Sequence, residues 1–118
     1  MITNHKKFGD TFGSHFEKDI KKFTSLEIAS GYFGVDIVDK YFPLLLNIAK
    51  KNYCRILIGM IYHEGVSRPQ KQILDKLNKN LIKINNKSGV FISLKQFHGK
   101  IFKFSNEIEE KIYVGSSN

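Results

Sequence analysis

Apolar residues recur at helical spacing most clearly after the middle of the chain. Ser67 followed by Pro69 is typical of a helix start, because serine can cap the first free amides and proline is tolerated in the first turn. The apolar positions that follow at helical spacing are Ile73, Leu74, Leu77, Leu81 and Ile84. The segment 85–89, rich in Asn and Gly, ends this pattern. We predict one amphipathic helix here.

Two further helices are predicted in the first half of the chain from their start signals. The segment Ser14–Glu17 has the form of a capping box and predicts a short helix that ends near Phe23. Asp36 is expected to cap a second helix that runs to about Lys51. Because proline removes a helical hydrogen bond, we expect this second helix to kink or restart at Pro43.

Five apolar segments between and after these helices predict strands. Leu26–Tyr32 and Tyr53–Met60 alternate with the helices, whereas Val90–Leu94, His98–Phe104 and Lys111–Val114 follow one another without a helix between them. This order predicts a mixed α/β domain with parallel strands, flanking helices and a terminal β-hairpin. A single domain over 1–118 is expected, and the stop just after the last strand suggests a fragment of a longer protein.

The charge balance favours polyanionic partners. The net charge is +8, which fits nucleic acid or an anionic membrane surface. The lysines are spread along the chain, so the positive charge is only weak evidence for a polyanionic partner. Four of them lie on the third predicted helix, where a solvated face is the favoured interpretation and contact with a DNA backbone is the alternative: Lys71, Lys76, Lys79 and Lys83.

The cysteine content and the apolar segments indicate a cytoplasmic protein without a membrane span. Cys54 is the single cysteine, so it cannot form an internal disulfide, and its apolar neighbours favour a buried structural thiol over a nucleophile. The longest apolar segment, 41–49, contains a proline and is much too short to cross a bilayer. No apolar stretch follows the charged N-terminus, as a signal peptide would require.

His98 and Lys100 are the residues with the clearest chemistry. Residues two apart on a strand share a face, so both side chains are expected to point the same way in a segment otherwise rich in Phe and Ile. An unpaired buried ammonium is costly, and Lys100 therefore needs an anion beside it, either a protein carboxylate or a substrate phosphate.

The terminal hairpin is expected to bring more polar groups to this face. If Phe104 pairs with Ile112, then His98 lies opposite Asn118 and Lys100 lies opposite Ser116. An imidazole, an ammonium, a hydroxyl and a carboxamide would then share one face, although a slip of one residue would reverse the face of the last strand. Such a set suits phosphodiester cleavage, with the imidazole attacking phosphorus and the other groups binding its oxygens.

The segments His98-x-Lys100 and Gly115-Ser116-Ser117-Asn118 resemble the signature of the phospholipase D superfamily. The small-residue segment 29–33 is also similar to the one after that family's first strand. The resemblance implies His98 as nucleophile, Lys100 and Asn118 as phosphate ligands, Ser116 as a secondary contact, and neither a metal nor another cofactor. Ser105 stands where most members carry an Asp, and this is similar to the metal-independent restriction endonuclease branch (NgoFVII/BfiI-like).

One such motif per chain implies, by the same resemblance, a two-fold homodimer that acts on DNA. The active site would lie at the interface, with His98 of one subunit as nucleophile and His98 of the other as acid and base. His5-x-Lys7 has the bare pattern but no Gly-Ser-x-Asn segment after it, so we interpret it as coincidence. Three alternatives stay open: a non-specific nuclease of the same superfamily, a phospholipase, or a catalytically inactive DNA-binding or assembly module.

Two other groups of residues have weaker functional interpretations. His63–Gly65 follows the second predicted strand, where α/β proteins place ligand contacts, yet an ordinary loop is favoured over a metal site. Tyr32, Phe33 and Tyr62 either line a substrate groove or pack in the core, and core packing is favoured.

Overall fold

The structure, a computed structural model, describes the backbone of residues 8–32 and 35–115 and the side chains of residues 14–32, 35–62 and 64–115. Within these residues, one helix or a pair of helices precedes each of the first three strands, and two further strands follow. Their bounds are α1 (Phe8–Lys22), β1 (Ser25–Ser30), α2 (Val35–Lys51), β2 (Tyr53–Ile58), α3 (Ile61–Glu64), α4 (Arg68–Ile84), β3 (Gly89–Ile92), β4 (Lys100–Ser105) and β5 (Glu110–Gly115).

The five strands form one mixed sheet in the order β3-β2-β1-β4-β5. The strands β1, β2 and β3 are parallel, because a helix connects each to the next on the same side. The strand β4 runs antiparallel to β1, and β5 runs antiparallel to β4. The predicted mixed α/β class is confirmed, and β4 and β5 form a hairpin whose first strand begins at Lys100 and does not include His98. The carboxyl ends of β1 and β2 therefore lie at the same edge as the start of β4 and the end of β5.

The core lies on one face of this sheet, where α1, α2 and α4 pack. Alternate residues of the strands point to it and are buried: Leu26, Ile28, Cys54, Ile56, Ile58, Phe102, Phe104 and Tyr113. The residues between them, such as Leu57, Phe91 and Ile101, are exposed on the opposite face. Within the described residues the sheet is thus flanked by helices on one face.

The starts of the first two helices differ from those predicted, whereas α2 ends at Lys51 as expected. The first helix begins at Phe8, so Ser14 lies inside it and the expected capping box is not its start. The apolar residues Phe8, Phe12, Phe16 and Ile20 recur at intervals of four, which continues the amphipathic pattern upstream. Asp36 lies in the first turn of α2, where its charge complements the helix dipole. That helix continues through exposed Pro43 without a break.

The helix α4 agrees with its prediction. It begins at Arg68 after Ser67, whose hydroxyl accepts a hydrogen bond from the Gln70 amide at 3.3 Å. It ends before Asn85, whose carboxamide donates to the carbonyls of Ala49 at 3.0 Å and Asn52 at 2.8 Å. Asn85 thereby ties the end of α4 to the end of α2. The short helix α3 was not predicted, since four residues are too few to show a periodic pattern.

Candidate functional site

The connection from β3 to β4 passes over the carboxyl ends of the two central strands. We call residues 93–99 the crossing loop, because β2 and β1 both lie between the strands that it joins. At its start, the Ser93 amide donates to the Ile58 carbonyl at 2.9 Å. At its end, the Gly99 carbonyl accepts from the Gly31 amide at 3.0 Å. The crossing loop therefore carries His98 across the edge of the sheet where α/β proteins commonly bind ligands.

Two glycines at the ends of β1 and β2 make room for the crossing loop. A Cβ atom on Gly31 would lie 2.8 Å from the His98 Cα atom and from the Phe97 carbonyl oxygen. A Cβ atom on Gly59 would lie 2.6 Å from both the ring and the carbonyl oxygen of Phe97. Both distances are shorter than real Cβ contacts, so the loop can lie this close only over glycine. The sequence pointed to Gly31 through the segment 29–33, but it did not point to Gly59.

His98 and Lys100 lie at the same edge of the sheet, although only one of them belongs to a strand. His98 is exposed on the crossing loop, and β4 begins at Lys100, so the prediction of a strand from His98 is wrong at its start. The loop is still crossing Gly31 at His98 and joins the ladder only afterwards. Lys100 is half-buried and pairs with Ser30 on one side and Gly115 on the other.

Lys100, a half-buried residue, has no acidic partner at ion-pair distance within the part of the chain that the structure describes. No carboxylate of residues 14–32, 35–62 or 64–115 lies within the 4.0 Å of an ion pair with it. The sequence left open whether a protein carboxylate or a substrate phosphate neutralises this charge. No carboxylate among the described side chains neutralises Lys100. Lys100 is therefore an electropositive group two residues from His98.

The register of the terminal hairpin differs by one residue from the prediction. Phe104 pairs with Lys111, where we expected Ile112, and Lys100 pairs with Gly115, where we expected Ser116. Asn106 sets this register, because its side chain accepts hydrogen bonds from the amides of residues 108 and 109 and closes the turn between β4 and β5. A register shifted by one residue reverses the face of the last strand, so the pairing no longer supports the face that Lys100 and Ser116 were predicted to share. The side chains of Ser116 and Asn118 themselves lie outside the described residues.

Buried Asp19 fixes β5 against α1, a role that was not predicted from the sequence. Asp19 is fully buried, and it accepts hydrogen bonds from the Tyr113 hydroxyl and from the Lys111 ammonium, the latter at 3.2 Å. Burial and then the Asp19 hydrogen bond raise the pKa of Tyr113. Since both donors come from alternate residues of β5, this contact also favours the observed register over the predicted one. A lone Asp in an amphipathic helix carries no sequence signal of such a role.

Two tyrosines that were expected in the core are exposed, and one of them lies near the crossing loop. Tyr32 is 43% exposed and Tyr62 is 64% exposed, so the favoured core placement is wrong and the groove alternative remains. The Tyr32 ring lies 6.2 Å from the His98 ring between centroids, tilted by 55°. Its hydroxyl donates to Glu64 at 2.9 Å, and this hydrogen bond is the main cause that raises the pKa of Tyr32. Phe33 and the His63 side chain lie outside the described residues.

The remaining candidate residues have environments that fit a structural role. Cys54 is buried, and burial raises the pKa of its thiol to about 12, so the expected structural role is supported. On α4, Lys71 forms an ion pair with Asp75 at 2.7 Å, and the Lys76 ammonium lies 5.5 Å from the centre of the Phe42 ring. Glu64 ends the short helix α3, where an ordinary loop was expected. No group of three potential metal ligands occurs among the described residues.

Comparison with protein families gives one match, over residues 11–118, to the NgoFVII restriction endonuclease N-terminal PLD domain. The chain belongs to this family. The predicted relationship to phospholipase D-type restriction endonucleases is thereby confirmed, and membership in the NgoFVII family supports a nuclease function. Compared with curated proteins, the sequence gives no match. Among the described residues of this NgoFVII-type domain, no helix is long and apolar enough to cross a membrane.

Proposed function

We propose that this NgoFVII-type domain cleaves DNA through a phosphohistidine intermediate on His98, without a metal, as the N-terminal part of a type II restriction endonuclease. The observation that carries the proposal is the setting of two residues at one sheet edge. His98 is exposed on the crossing loop, and Lys100 is a half-buried cation without a carboxylate neighbour among the described residues. A phosphate oxygen would supply the missing negative charge.

The proposed reaction has two displacements. In the first, a ring nitrogen of His98 forms a bond to phosphorus as the bond to the leaving oxygen breaks, and a second imidazole gives that oxygen a proton. In the second, that imidazole takes a proton from water, the water oxygen bonds to phosphorus, and the phosphorus–nitrogen bond breaks. Lys100, Ser116 and Asn118 are proposed to bind the non-bridging oxygens, whose charge grows in each transition state.

The second imidazole is proposed to be His98 of another copy. A two-fold dimer would place two equivalent crossing loops at one interface and form one site from both. Substrate DNA and a reduced Cys54 would be compatible with action in the cytoplasm. The net charge of +8 supports contact with phosphates, and it carries no information on base sequence.

The direct test is cleavage of plasmid DNA in excess EDTA, with a His98→Ala variant beside the wild type. Cleavage that survives the chelator and disappears in the variant is the expected result. Discrete fragments support restriction, whereas a smear at low salt supports the non-specific alternative. Cleavage that EDTA abolishes, or that the variant retains, contradicts the proposal.

The dimeric site is tested separately, by mixing wild-type and variant chains. If each site needs two His98 side chains, mixed dimers of wild-type and His98→Ala chains are inactive, and activity falls with the square of the wild-type fraction. If each chain acts alone, activity falls in direct proportion to that fraction. The mixtures are unfolded and refolded together so that the chains exchange fully.

A further inference from the structure

An aromatic side chain from a different part of the fold lies close to the proposed nucleophile. Tyr32 lies two residues beyond the end of β1, and its ring faces the His98 ring across 6.2 Å between centroids. No hydrogen bond to the His98 imidazole occurs among the described side chains. The ring of Tyr32 is therefore an aromatic neighbour of this imidazole that the proposed mechanism has not used.

Tyr32 is itself held at two points. Its hydroxyl donates to the Glu64 carboxylate at 2.9 Å, and its carbonyl accepts a hydrogen bond from the buried Ser30 hydroxyl. Glu64 is the last residue of α3, and Gly65 ends that helix with a φ of 81°, a value that favours glycine. The end of β1 thus holds the backbone of Tyr32, and α3 holds its hydroxyl.

This arrangement is unusual for a side chain that contributes little to the core. Tyr32 and Glu64 are both exposed, and hydrogen bonds in such places add little to folding stability. An imidazole that attacks phosphorus must direct one nitrogen along the line of the breaking bond, and small errors of position are costly in rate. A rigid ring beside the imidazole limits the rotamers that it can adopt.

We propose that Tyr32 is a positioning residue for His98, and that Glu64 acts through Tyr32 by fixing its hydroxyl. The inference rests on the proposed function of His98. It adds a role for α3 and for the end of β1, which the family match does not assign. The ring orients the imidazole, and the hydroxyl–carboxylate bond orients the ring.

The test measures the rate constant of single-turnover cleavage and the KM of steady-state cleavage for Tyr32→Leu, Tyr32→Phe and Glu64→Ala. Loss of the ring in Tyr32→Leu is expected to lower the rate constant by about 10- to 100-fold with little change in KM. Tyr32→Phe and Glu64→Ala are expected to lose about threefold each, and the double variant no more than either one, since both remove the same bond.

A second tyrosine–glutamate pair provides the matched control. The Tyr53 hydroxyl donates to Glu27 at 3.3 Å at the start of β2, the opposite end of the strand from the crossing loop. Tyr53→Phe therefore removes the same type of bond away from His98, and its rate constant should equal that of the wild type. An equal loss in Tyr53→Phe and Tyr32→Phe, or a loss in Tyr32→Leu that lies entirely in KM, refutes the positioning role.

The imidazole itself gives a readout that does not depend on cleavage. In NMR spectra assigned with His98→Ala, the His98 ring-proton resonances should shift in Tyr32→Leu, because the neighbouring ring current is lost, and should stay in place in Tyr53→Phe. Unchanged His98 resonances beside an active wild type refute the inference and leave the proposed function intact. A wild type that cleaves no DNA refutes the proposed function, and with it the catalytic role of Tyr32.

Discussion

Gly31→Ala tests most sharply how the fold holds the proposed nucleophile. The added Cβ atom would lie 2.8 Å from two backbone atoms of the crossing loop, whereas ordinary contacts begin at 3.4 Å. Backbone atoms cannot rotate away, so the loop must retreat by roughly 0.6 Å or more, and the 3.0 Å bond from the Gly31 amide to the Gly99 carbonyl must lengthen. We expect a loss of about 1–3 kcal/mol in the free energy of unfolding, as for other overpacked sites.

The same displacement moves His98, so the rate of DNA cleavage should fall as well. A shift approaching 1 Å at a reacting group lowers rates by about 10- to 100-fold. Stability is measured by urea unfolding followed by circular dichroism, and the rate constant by single-turnover cleavage at saturating DNA. Measurement at temperatures well below the unfolding transition separates the loss of rate from the loss of folded protein.

Gly99→Ala is the matched control for stability. It lies in the same loop, but the nearest atom to its added Cβ is the Gly115 carbonyl oxygen at 4.0 Å. We expect its free energy of unfolding to stay within about 0.5 kcal/mol of the wild type or to rise slightly, because alanine restricts the unfolded chain. If Gly31→Ala is as stable as Gly99→Ala and cleaves as fast as the wild type, the close approach of the crossing loop is refuted.

Three further predictions concern side chains away from the crossing loop. Asp19→Ala should lower the free energy of unfolding by about 3 kcal/mol, because it leaves a cation and a buried hydroxyl without their acceptor. Tyr113→Phe should lower it by only about 1 kcal/mol. Equal losses for the two variants in urea unfolding would contradict this difference. Asn85→Ala should cost about 2–3 kcal/mol, since it removes the hydrogen bonds that join the ends of α2 and α4, and a loss under about 0.5 kcal/mol would refute that role. Cys54, with a pKa of about 12, should react with a disulfide reagent at pH 8 only as fast as the protein unfolds, and rapid labelling of the native protein would contradict its burial.

The elements that the sequence predicted well are those set by local signals. The helix α4 has its start at Ser67 and its apolar stripe within one segment, and the structure agrees with both. The start of α1 was wrong because Ser14 and Glu17 fit a capping box, although the apolar pattern continues past them toward the N-terminus. A local motif can therefore be present inside a helix as well as at its end.

The hairpin register could not be decided from alternation alone. Phe104 and Tyr113 are both large and apolar in character, and shifting β5 by one residue keeps an alternating pattern. The choice depends on the turn closed by Asn106 and on the contact of Tyr113 with Asp19, which lies 94 residues away in sequence. Contacts between residues so far apart in sequence cannot be predicted from the local pattern of apolar and polar residues.

The candidate site likewise combines residues that are neighbours in sequence with residues from distant segments of the chain. His98 and Lys100 are neighbours in sequence, so their motif could be recognised directly. Gly59, Tyr32 and Glu64 come from separate segments that meet only when the crossing loop passes over β1 and β2. Their relation to His98 became visible only with the strand order.

The most direct test of the central claim is to isolate the covalent intermediate. An end-labelled DNA substrate is mixed with the wild-type chain in EDTA and quenched within one turnover in alkaline detergent, in which a phosphorus–nitrogen bond to histidine survives. We expect one DNA strand to be attached to the peptide that contains His98, to be released by acid, and to be absent from His98→Ala. Cleavage without any adduct, or an adduct on a different residue, would contradict the account.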